Sequence, residues 1–331
     1  MEVNKSILQD SAFQPPPIAP VPEGVARPLW SVMIPTFNCA KYLRQTLESV
    51  LTQDPGPDQM QIEVIDDCST KDDPEAVVRE VGKGRVAFYR KPKNEGAIAN
   101  FNTCIQRSHG QLIHILHGDD WVLPGFYERM QKAATTHAHC SLFAARCFFA
   151  DEEGIYTGMT GRLPELESSP GKVVTAFYLG TPIQFAGVVV RRDFYELHGG
   201  FIASLVHTAD WEMWARAIAC GNGLVFPEVL GSYRFFQGND TGRLMRTAEN
   251  LKDCERLHRI LAERHRDFDP VQANQRLLNM AKEQENRFVR LGDAEAAAAN
   301  REFWASRTPL KTRALAVIRK GVRWSLRKAG I

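Results

Sequence analysis

Two adjacent carboxylates, Asp119 and Asp120, are the groups in this sequence best suited to hold a hard cation. They follow the apolar run QLIHILH and precede a segment that begins near Pro124 and has the pattern of a helix. Carboxylate oxygens bind Mg²⁺ or Mn²⁺, which keep other coordination positions open for a substrate phosphate. Similar pairs occur at Asp66-Asp67 and Asp72-Asp73, so a polar loop before a helix is an equally good interpretation.

The segment IEVIDDCST places another carboxylate, Asp67, at the end of an apolar run. An ionised carboxylate accepts hydrogen bonds, so this group could bind the imide N–H of a nucleobase. Ser69 and Thr70 suit the turn that follows, and an Asx-type turn is the alternative role for the acid.

The tripeptide Asn94-Glu95-Gly96 precedes a further helical segment. Gly96 permits close approach of the backbone to a ligand, and the N-terminus of the helix that follows favours an anion. The sequence has no GKS or GKT phosphate loop and no G-x-G-x-x-G fingerprint. These absences argue against an ATPase and against an NAD-dependent dehydrogenase.

Asp210 lies at the start of DWEMWARAIA, a segment with the pattern of a short helix. A carboxylate exposed at that end of a helix could act as a general base. Asp is also a preferred N-cap residue, and for this residue taken alone the cap is the better interpretation. Trp211 and Trp214 are three residues apart and therefore share one face of the helix.

The elements that must position these groups alternate between strand and helix. The runs WSVMIP, MQIEVID, RVAFYR and QLIHILH have the pattern of buried strands. A helix should follow each strand. The first is capped by Asn38, the second begins at Asp73-Pro74, the third spans 97–108, and the fourth begins at Pro124. This alternation predicts an α/β fold with a mostly parallel, open, Rossmann-like sheet flanked by helices. Ligands bind beyond the carboxyl ends of such strands, here at Pro35–Asn38, Asp66–Ser69, Asn94–Gly96 and His117–Asp120.

The rest of the chain is less regular. Residues 1–28 contain six prolines and predict a flexible or loosely docked arm. LVFPEVLGSYRFF predicts a strand interrupted at Pro227. Residues 241–331 have a charged, helical pattern and predict a C-terminal extension.

Six short segments, taken in their order along the chain, resemble the motifs of the family-2 glycosyltransferases. They are PTFN, IEVIDDCST, Asn94-x-Gly96, HGDDWVLPG, GGF and TADWEMW. These are inverting enzymes that depend on nucleotide sugars and have the glycosyltransferase A fold. The resemblance covers roughly residues 30–235. It implies one catalytic domain over 29–240, with a nucleotide-binding half at 29–138 and an acceptor half at 139–240.

The resemblance also implies roles for particular residues. Asp67 matches the acid that binds the nucleobase, Asp119 the acid near ribose and metal, Asp120 the direct metal ligand, and Asp210 the catalytic base. Pro35, Thr36, Phe37, Asn94 and Gly96 are expected in the nucleotide site, and Trp211, Trp214 and Tyr233 as an apolar wall on the acceptor side.

Three positions depart from the family pattern. Ala209 stands where the family has the first acid of a Glu-Asp pair, and Phe101 replaces an Arg before Asn102. Tyr233-Arg234-Phe235-Phe236 lacks the histidine of the family's Y-R-x-H segment, and Gln237 could take its place.

Physical chemistry agrees with the implied reaction. A divalent ion on Asp120 would neutralise the charge of the departing diphosphate. Asp210 would remove the proton of an acceptor hydroxyl that attacks from the opposite face, and this single displacement inverts the anomeric centre. We expect a uridine- or thymidine-based donor and an acceptor that is a cell-surface glycan or a lipid-linked precursor.

The C-terminal end of the chain is basic, because no acidic residue follows Glu302. On a helical wheel five basic side chains share one arc and apolar side chains fill the rest; these five are Arg313, Arg319, Lys320, Arg323 and Arg327. Such a helix can lie on an anionic membrane, and docking on the catalytic domain or a subunit contact are the alternatives.

Composition limits the remaining possibilities. The 41 basic and 39 acidic residues give a net charge of +2, which argues against a polybasic nucleic-acid binder. Seven scattered cysteines without a C-x-x-C pair are typical of a reducing cytosol. No segment has the roughly 20 apolar residues of a membrane span, and no signal peptide is recognisable. We expect a cytoplasmic protein, either soluble or on the inner face of the membrane, and a homo-oligomer remains open.

Two other functions compete with glycosyl transfer. A sugar-nucleotide pyrophosphorylase would need a Gly-rich loop with Arg and Lys after the first strand, and PTFNCAKYL lacks it. A non-catalytic glycan- or membrane-binding module would not need the four acids Asp67, Asp119, Asp120 and Asp210.

Overall fold

The strands predicted for the first half of the chain form one parallel block. The computed structural model describes residues 7–163, 175–236 and 238–308. In the first half the order along the sheet is β3-β2-β1-β4, with every neighbour parallel. The elements are β1 (Trp30–Thr36), α1 (Ala40–Leu51), β2 (Met60–Asp66), α2 (Pro74–Gly82), β3 (Ala87–Arg90), α3 (Ala97–Arg107) and β4 (Leu112–Ile115).

The second half turns the sheet into a mixed one. It continues as β4-β8-β6-β9-β5, with β7 paired to β6, and among these pairs only β6 and β9 run parallel. The strands are β5 (Trp121–Val122), β6 (Leu142–Ala150), β7 (Tyr156–Met159), β8 (Val188–Arg191) and β9 (Gly223–Arg234). The helices are α4 (Phe126–Thr136), α5 (Thr175–Leu179), α6 (Arg192–His198) and α7 (Ala209–Gly221).

Two hydrophobic cores enclose the sheet. Leu43, Leu47 and Val50 of α1 pack with α2 and α4 on one face. Helices α3, α6 and α7 cover the other face. The predicted α/β class is confirmed, because alternate side chains of the buried strands feed both cores.

Four further helices follow the sheet. They are α8 (Asp240–Arg246), α9 (Glu249–Arg264), α10 (Pro270–Arg290) and α11 (Ala294–Ser306). Leu251 and Leu257 of α9 belong to the core that includes α7, so the helical extension packs directly on the sheet-containing part of the chain. Within the described ranges no helix has the length and apolar character needed to cross a bilayer. The basic segment beyond residue 308 and Gln237 lie outside the described residues.

The N-terminal arm is not loose over residues 7–28. Ile7 and Ile18 are buried in the core that covers α7. The Gly200 N–H donates to the Pro16 carbonyl at 2.8 Å, and the Arg192 guanidinium donates to the Ala19 carbonyl at 3.0 Å. Proline lowers the entropy that such a segment loses on docking, which composition alone does not reveal.

Two local predictions fail and one holds. Asp73 caps α2 through the Ala76 N–H, as expected. Asn38 does not cap α1, because the N-cap is Cys39 and the Asn38 amide oxygen instead accepts the N–H groups of the loop after β2. Pro227 does not interrupt β9, since the strand continues through it beside register shifts in its pairing with β6.

Candidate active site

The loops beyond β1, β2 and β4 are hydrogen-bonded to one another. The Gly118 N–H donates to the Pro35 carbonyl at 3.0 Å, and the Asp67 N–H donates to the Thr36 carbonyl at 2.9 Å. Phe37, at the tip of the first loop, is 45% exposed although it is aromatic. The carboxyl ends of these adjacent parallel strands therefore form one edge, as the sequence predicted.

The acid pair occupies a tight turn between β4 and β5. Asp120 is fully buried, and its Oδ1 accepts the Arg234 N–H at 2.8 Å. The Arg234 guanidinium donates to the Asp119 carbonyl at 3.0 Å and to Gln45 Oε1 at 2.6 Å. The Thr46 hydroxyl donates to the Asp120 carbonyl at 2.7 Å. Arg234 and α1 thus fix the backbone of the turn, so the carboxylates are presented in one arrangement.

Both carboxylates of the turn resist ionisation. Burial raises the pKa of Asp119 to about 6, although the Arg234 charge opposes the shift. Burial and the neighbouring Asp119 charge raise the pKa of Asp120 well above its usual range. Among the described residues no group bonds to the buried Asp120 Oδ2. A divalent cation would reduce the repulsion between the two carboxylates and would bind the unpaired Asp120 Oδ2. The two acids therefore fit a divalent cation.

His117 was predicted only as the first residue of the ligand-binding segment His117–Asp120, without a role of its own, and it lies beside the acid pair. Its imidazole stacks on Phe101 with ring centroids 4.9 Å apart, and Nδ1 lies 3.9 Å from Asp120 Oδ2. Burial lowers the pKa of His117 to about 4. The only signal in the sequence was its position at the end of β4, two residues before Asp119.

Asp67 is buried, and its carboxylate already has partners. It accepts the Glu95 N–H at 3.1 Å and the Gly96 N–H at 2.8 Å, and it pairs with the buried ammonium of Lys91 at 2.9 Å. The loop around Gly96 (φ +89°) therefore binds an anion, as predicted, but the anion is the protein's own carboxylate. The Glu95 and Gly96 N–H groups are occupied by this carboxylate, and Asn94 remains exposed beside them.

Asp210 is the second residue of α7 rather than its cap. Thr208 occupies the N-cap, and the Asp253 carboxylate of α9 accepts the N–H groups of His207 and Thr208 at 2.8 and 2.9 Å. The alternative interpretation of Asp210 as an N-cap is therefore wrong. Burial raises the pKa of Asp210 to about 7, while the Trp211 N–H that donates to Oδ1 at 2.7 Å opposes the shift.

Tyr233 links the acid turn to the start of α7. Burial raises the pKa of its phenol, and the charges of Asp120, Asp119 and Asp210 add to that rise. The hydroxyl lies 3.3 Å from Thr241 Oγ1. The charges of the acid turn and of Asp210 therefore act on the same phenol.

The two tryptophans predicted for the acceptor side belong to the core. Trp214 is 1% exposed and makes an edge contact with Phe185 at 5.1 Å. Trp211 is buried and donates its indole N–H to the Phe177 carbonyl. Neither ring face can stack on a sugar, so these two predictions are corrected in favour of core packing. Tyr233 is half-buried and directly precedes Arg234, whose backbone N–H donates to the acid turn.

A sheet of this order with an acid pair beyond a central strand agrees with a glycosyltransferase of the glycosyltransferase A fold. The family model described as "Glycosyl transferase family 2" matches residues 31–194. The chain belongs to this family, as the ordered motifs predicted.

Similar known proteins agree with this class. The succinoglycan biosynthesis protein ExoU of Rhizobium meliloti is 27% identical over 252 residues, covering 70% of this chain and 69% of that protein. Staphylococcus aureus TarS 1–349 in complex with UDP has a TM-score of 0.51 at 16% identity, covering 85% of this chain and 92% of that one. The mannosyltransferase PcManGT of Pyrobaculum calidifontis, with GDP-Man and Mn²⁺, has a TM-score of 0.51 at 18% identity, covering 95% and 84%. At these identities the two structures establish the fold.

Proposed function

We propose that this chain is an inverting glycosyltransferase that moves a sugar from a nucleoside-diphosphate sugar to a hydroxyl of a glycan or lipid-linked acceptor. One observation carries the proposal: in a chain of this family the buried Asp120 Oδ2 lies in a fixed turn beyond β4 and has no hydrogen-bond partner among the described residues. A single displacement needs a charge-neutralising group on the leaving side and a base on the attacking side, and the two acid sites supply both.

Asp120 and Asp119 would hold a divalent cation, Mg²⁺ or Mn²⁺. Such an ion supplies electrostatic stabilisation to the diphosphate as its bond to the sugar breaks. Arg234 keeps the turn rigid through its contact with the Asp119 carbonyl at 3.0 Å, so the ligand oxygens need not reorganise during the reaction.

Asp210 would remove the proton of the acceptor hydroxyl. A base is most effective when its pKa lies near the working pH, and burial brings the pKa of Asp210 to about 7. The hydroxyl attacks from the face opposite the leaving diphosphate, and this geometry inverts the configuration at the anomeric carbon.

The nucleotide would lie along the edge formed by the first two loops. Pro35, Thr36 and Phe37 form one side, and the exposed ring of Phe37 can stack on a base. Asp67 and the Asn94–Gly96 loop form the other side, with Asp67 free to accept a base N–H only in addition to its present bonds. We propose a uridine- or thymidine-based donor, and the complex of TarS with UDP supports this choice by analogy.

The domain division follows the same logic. Residues 29–138 would bind the nucleotide, residues 139–240 the acceptor, and residues 241–331 would form an extension whose basic end lies on the inner face of the membrane. The name of ExoU, a succinoglycan biosynthesis protein, supports a role in building a cell-surface polysaccharide.

A screen of nucleotide sugars tests the proposal. Each donor is added to the full chain with Mg²⁺ or Mn²⁺, and thermal stabilisation and release of the nucleoside diphosphate are measured. We expect one donor class to raise the melting temperature and to be turned over. The Asp120→Asn variant should lose the cation-dependent part, and Asp58→Asn, at an exposed acid, is the matched control. Absence of binding by every nucleotide sugar would overturn the proposal.

A further inference from the structure

His117 lies in the same turn as Asp119 and Asp120, and the transfer chemistry above does not use it. One ligand atom from each of the three side chains lies within 4.8 Å of the other two. Within the described part of the chain, His117 Nε2 and Asp120 Oδ2 are buried without a hydrogen-bond partner. Buried polar atoms are normally paired, so the unpartnered Asp120 Oδ2 points to a ligand, and the imidazole beside it offers a ring nitrogen to the same ligand.

The spacing between the histidine and the acid suits a shared ion. His117 Nδ1 and Asp120 Oδ2 are 3.9 Å apart, which is too long for a hydrogen bond. Bonds from a divalent ion to imidazole nitrogen and to carboxylate oxygen are each about 2.0–2.2 Å, so two ligands of one ion lie at most roughly 4.3 Å apart. The observed separation falls inside this limit.

The imidazole is held in place by aromatic neighbours. Its plane makes 13° with the ring of Phe101, and its centroid is 4.5 Å from that of Phe185. A ring packed in this way loses little further freedom when it binds an ion, which favours a preorganised ligand.

We propose that His117 is a direct nitrogen ligand of the cation held by Asp119 and Asp120, and that it gives the site a preference for Mn²⁺ and Co²⁺ over Mg²⁺. The inference rests on the proposed cation-assisted transfer. Mg²⁺ takes oxygen ligands, whereas imidazole suits the later first-row ions, whose affinities rise from Mn²⁺ to Co²⁺. Carboxylates alone would suit Mg²⁺ as well as Mn²⁺, so the histidine is the discriminating group.

Calorimetric titration of the full chain with Mg²⁺, Mn²⁺ and Co²⁺ alone tests the ligand set. We expect the wild type to bind Co²⁺ most tightly and Mg²⁺ least tightly. His117→Gln should weaken Co²⁺ binding by at least about tenfold, since even indirect partners of a metal ligand are worth that much, and should change Mg²⁺ binding less. His117→Asp should move the preference towards Mg²⁺. His109→Gln, at the opposite end of β4, is the matched control and should bind like the wild type.

A spectroscopic measurement on the wild type does not depend on how the variants fold. Electron spin-echo modulation of the Mn²⁺-loaded chain should show a directly bound nitrogen, and His117→Gln should lose that signal. A wild-type spectrum without nitrogen coupling, or equal Co²⁺ affinity in His117→Gln, would overturn the role of His117 and leave the glycosyl transfer proposal standing. Failure of all three ions to bind, with turnover that persists in a chelator, would instead remove the cation from the proposed reaction.

Discussion

Replacement of Asp210 by Asn should abolish sugar transfer and stabilise the fold. Asn has nearly the same shape, and its amide oxygen can still accept the Trp211 N–H that now donates at 2.7 Å. It cannot take a proton from an acceptor hydroxyl, and a general base contributes on the order of 10²–10⁴ in rate. Binding of the nucleotide should persist, because Asp210 belongs to α7 and not to the loops proposed to bind the nucleotide.

The expected gain in stability follows from the pKa of Asp210. Burial raises that pKa from 3.8 to about 7, so the folded state disfavours the ionised carboxylate. The cost is absent below the unfolded pKa, grows as the pH rises from 4 towards 7, and is complete above 7; at about 1.4 kcal/mol per pKa unit it reaches up to about 4 kcal/mol. Since Asn never ionises, Asp210→Asn should be more stable than the wild type by that amount at pH 8 and no more stable near pH 4.

Urea unfolding at several pH values, together with turnover and calorimetric nucleotide binding, measures all three effects. In the wild type, turnover should increase with pH up to about 7 and then level off, because only the deprotonated base is active. Asp58→Asn controls for the loss of one negative charge at an exposed site. Retained turnover in Asp210→Asn would refute the role as base, and a stability difference that does not depend on pH would refute the argument from burial.

Two further predictions concern groups outside the acid turn. Asp253→Asn should move the acidic limb of the pH–rate profile to lower pH, because the Asp253 charge helps to raise the pKa of Asp210; it should also destabilise the chain by about 1–3 kcal/mol, because one carboxylate oxygen accepts two N–H groups at the start of α7. The full chain should float with anionic liposomes more strongly than a chain shortened to end at residue 308, and equal flotation would contradict a membrane role for the basic tail.

The first half of the fold could be predicted because its signals are local. Each strand is an apolar run, each helix has a clear start, and parallel crossovers leave few alternative orders. That information also placed Asp67 and the acid pair at one edge of the sheet. The two-residue strand β5 was missed, since Trp121–Val122 is too short to show any periodicity.

What failed depended on contacts between distant parts of the chain. Trp211 and Trp214 share a helix face, as predicted, but only the tertiary packing decides that this face meets the core. The Asp67 carboxylate accepts N–H groups that lie 28 and 29 residues later in the chain. The N–H groups at the start of α7 are bound by Asp253, which is 45 residues from Thr208. Propensity and spacing carry no information on such pairings, so the sequence alone left the two roles of each acid open.

The pairing of buried acids provides an independent argument for the acid turn. Among the described residues six acids are buried, and five of them have an Arg or Lys partner. These pairs are Glu63 with Arg107, Asp66 with Arg90, Asp67 with Lys91, Glu212 with Arg216, and Asp253 with Arg256. Asp120 differs, because within the described chain its ion-pair partner is the imidazole of His117, 3.9 Å away, and the Arg234 charge acts on it without a direct bond from the guanidinium. The other five buried carboxylates are paired with an Arg or Lys of the same chain. Leaving Asp120 without such a partner costs stability, unless a cation from solution binds it. Cation binding should therefore stabilise the chain even without a nucleotide, which ties the stability of the fold to the chemistry proposed for the cleft.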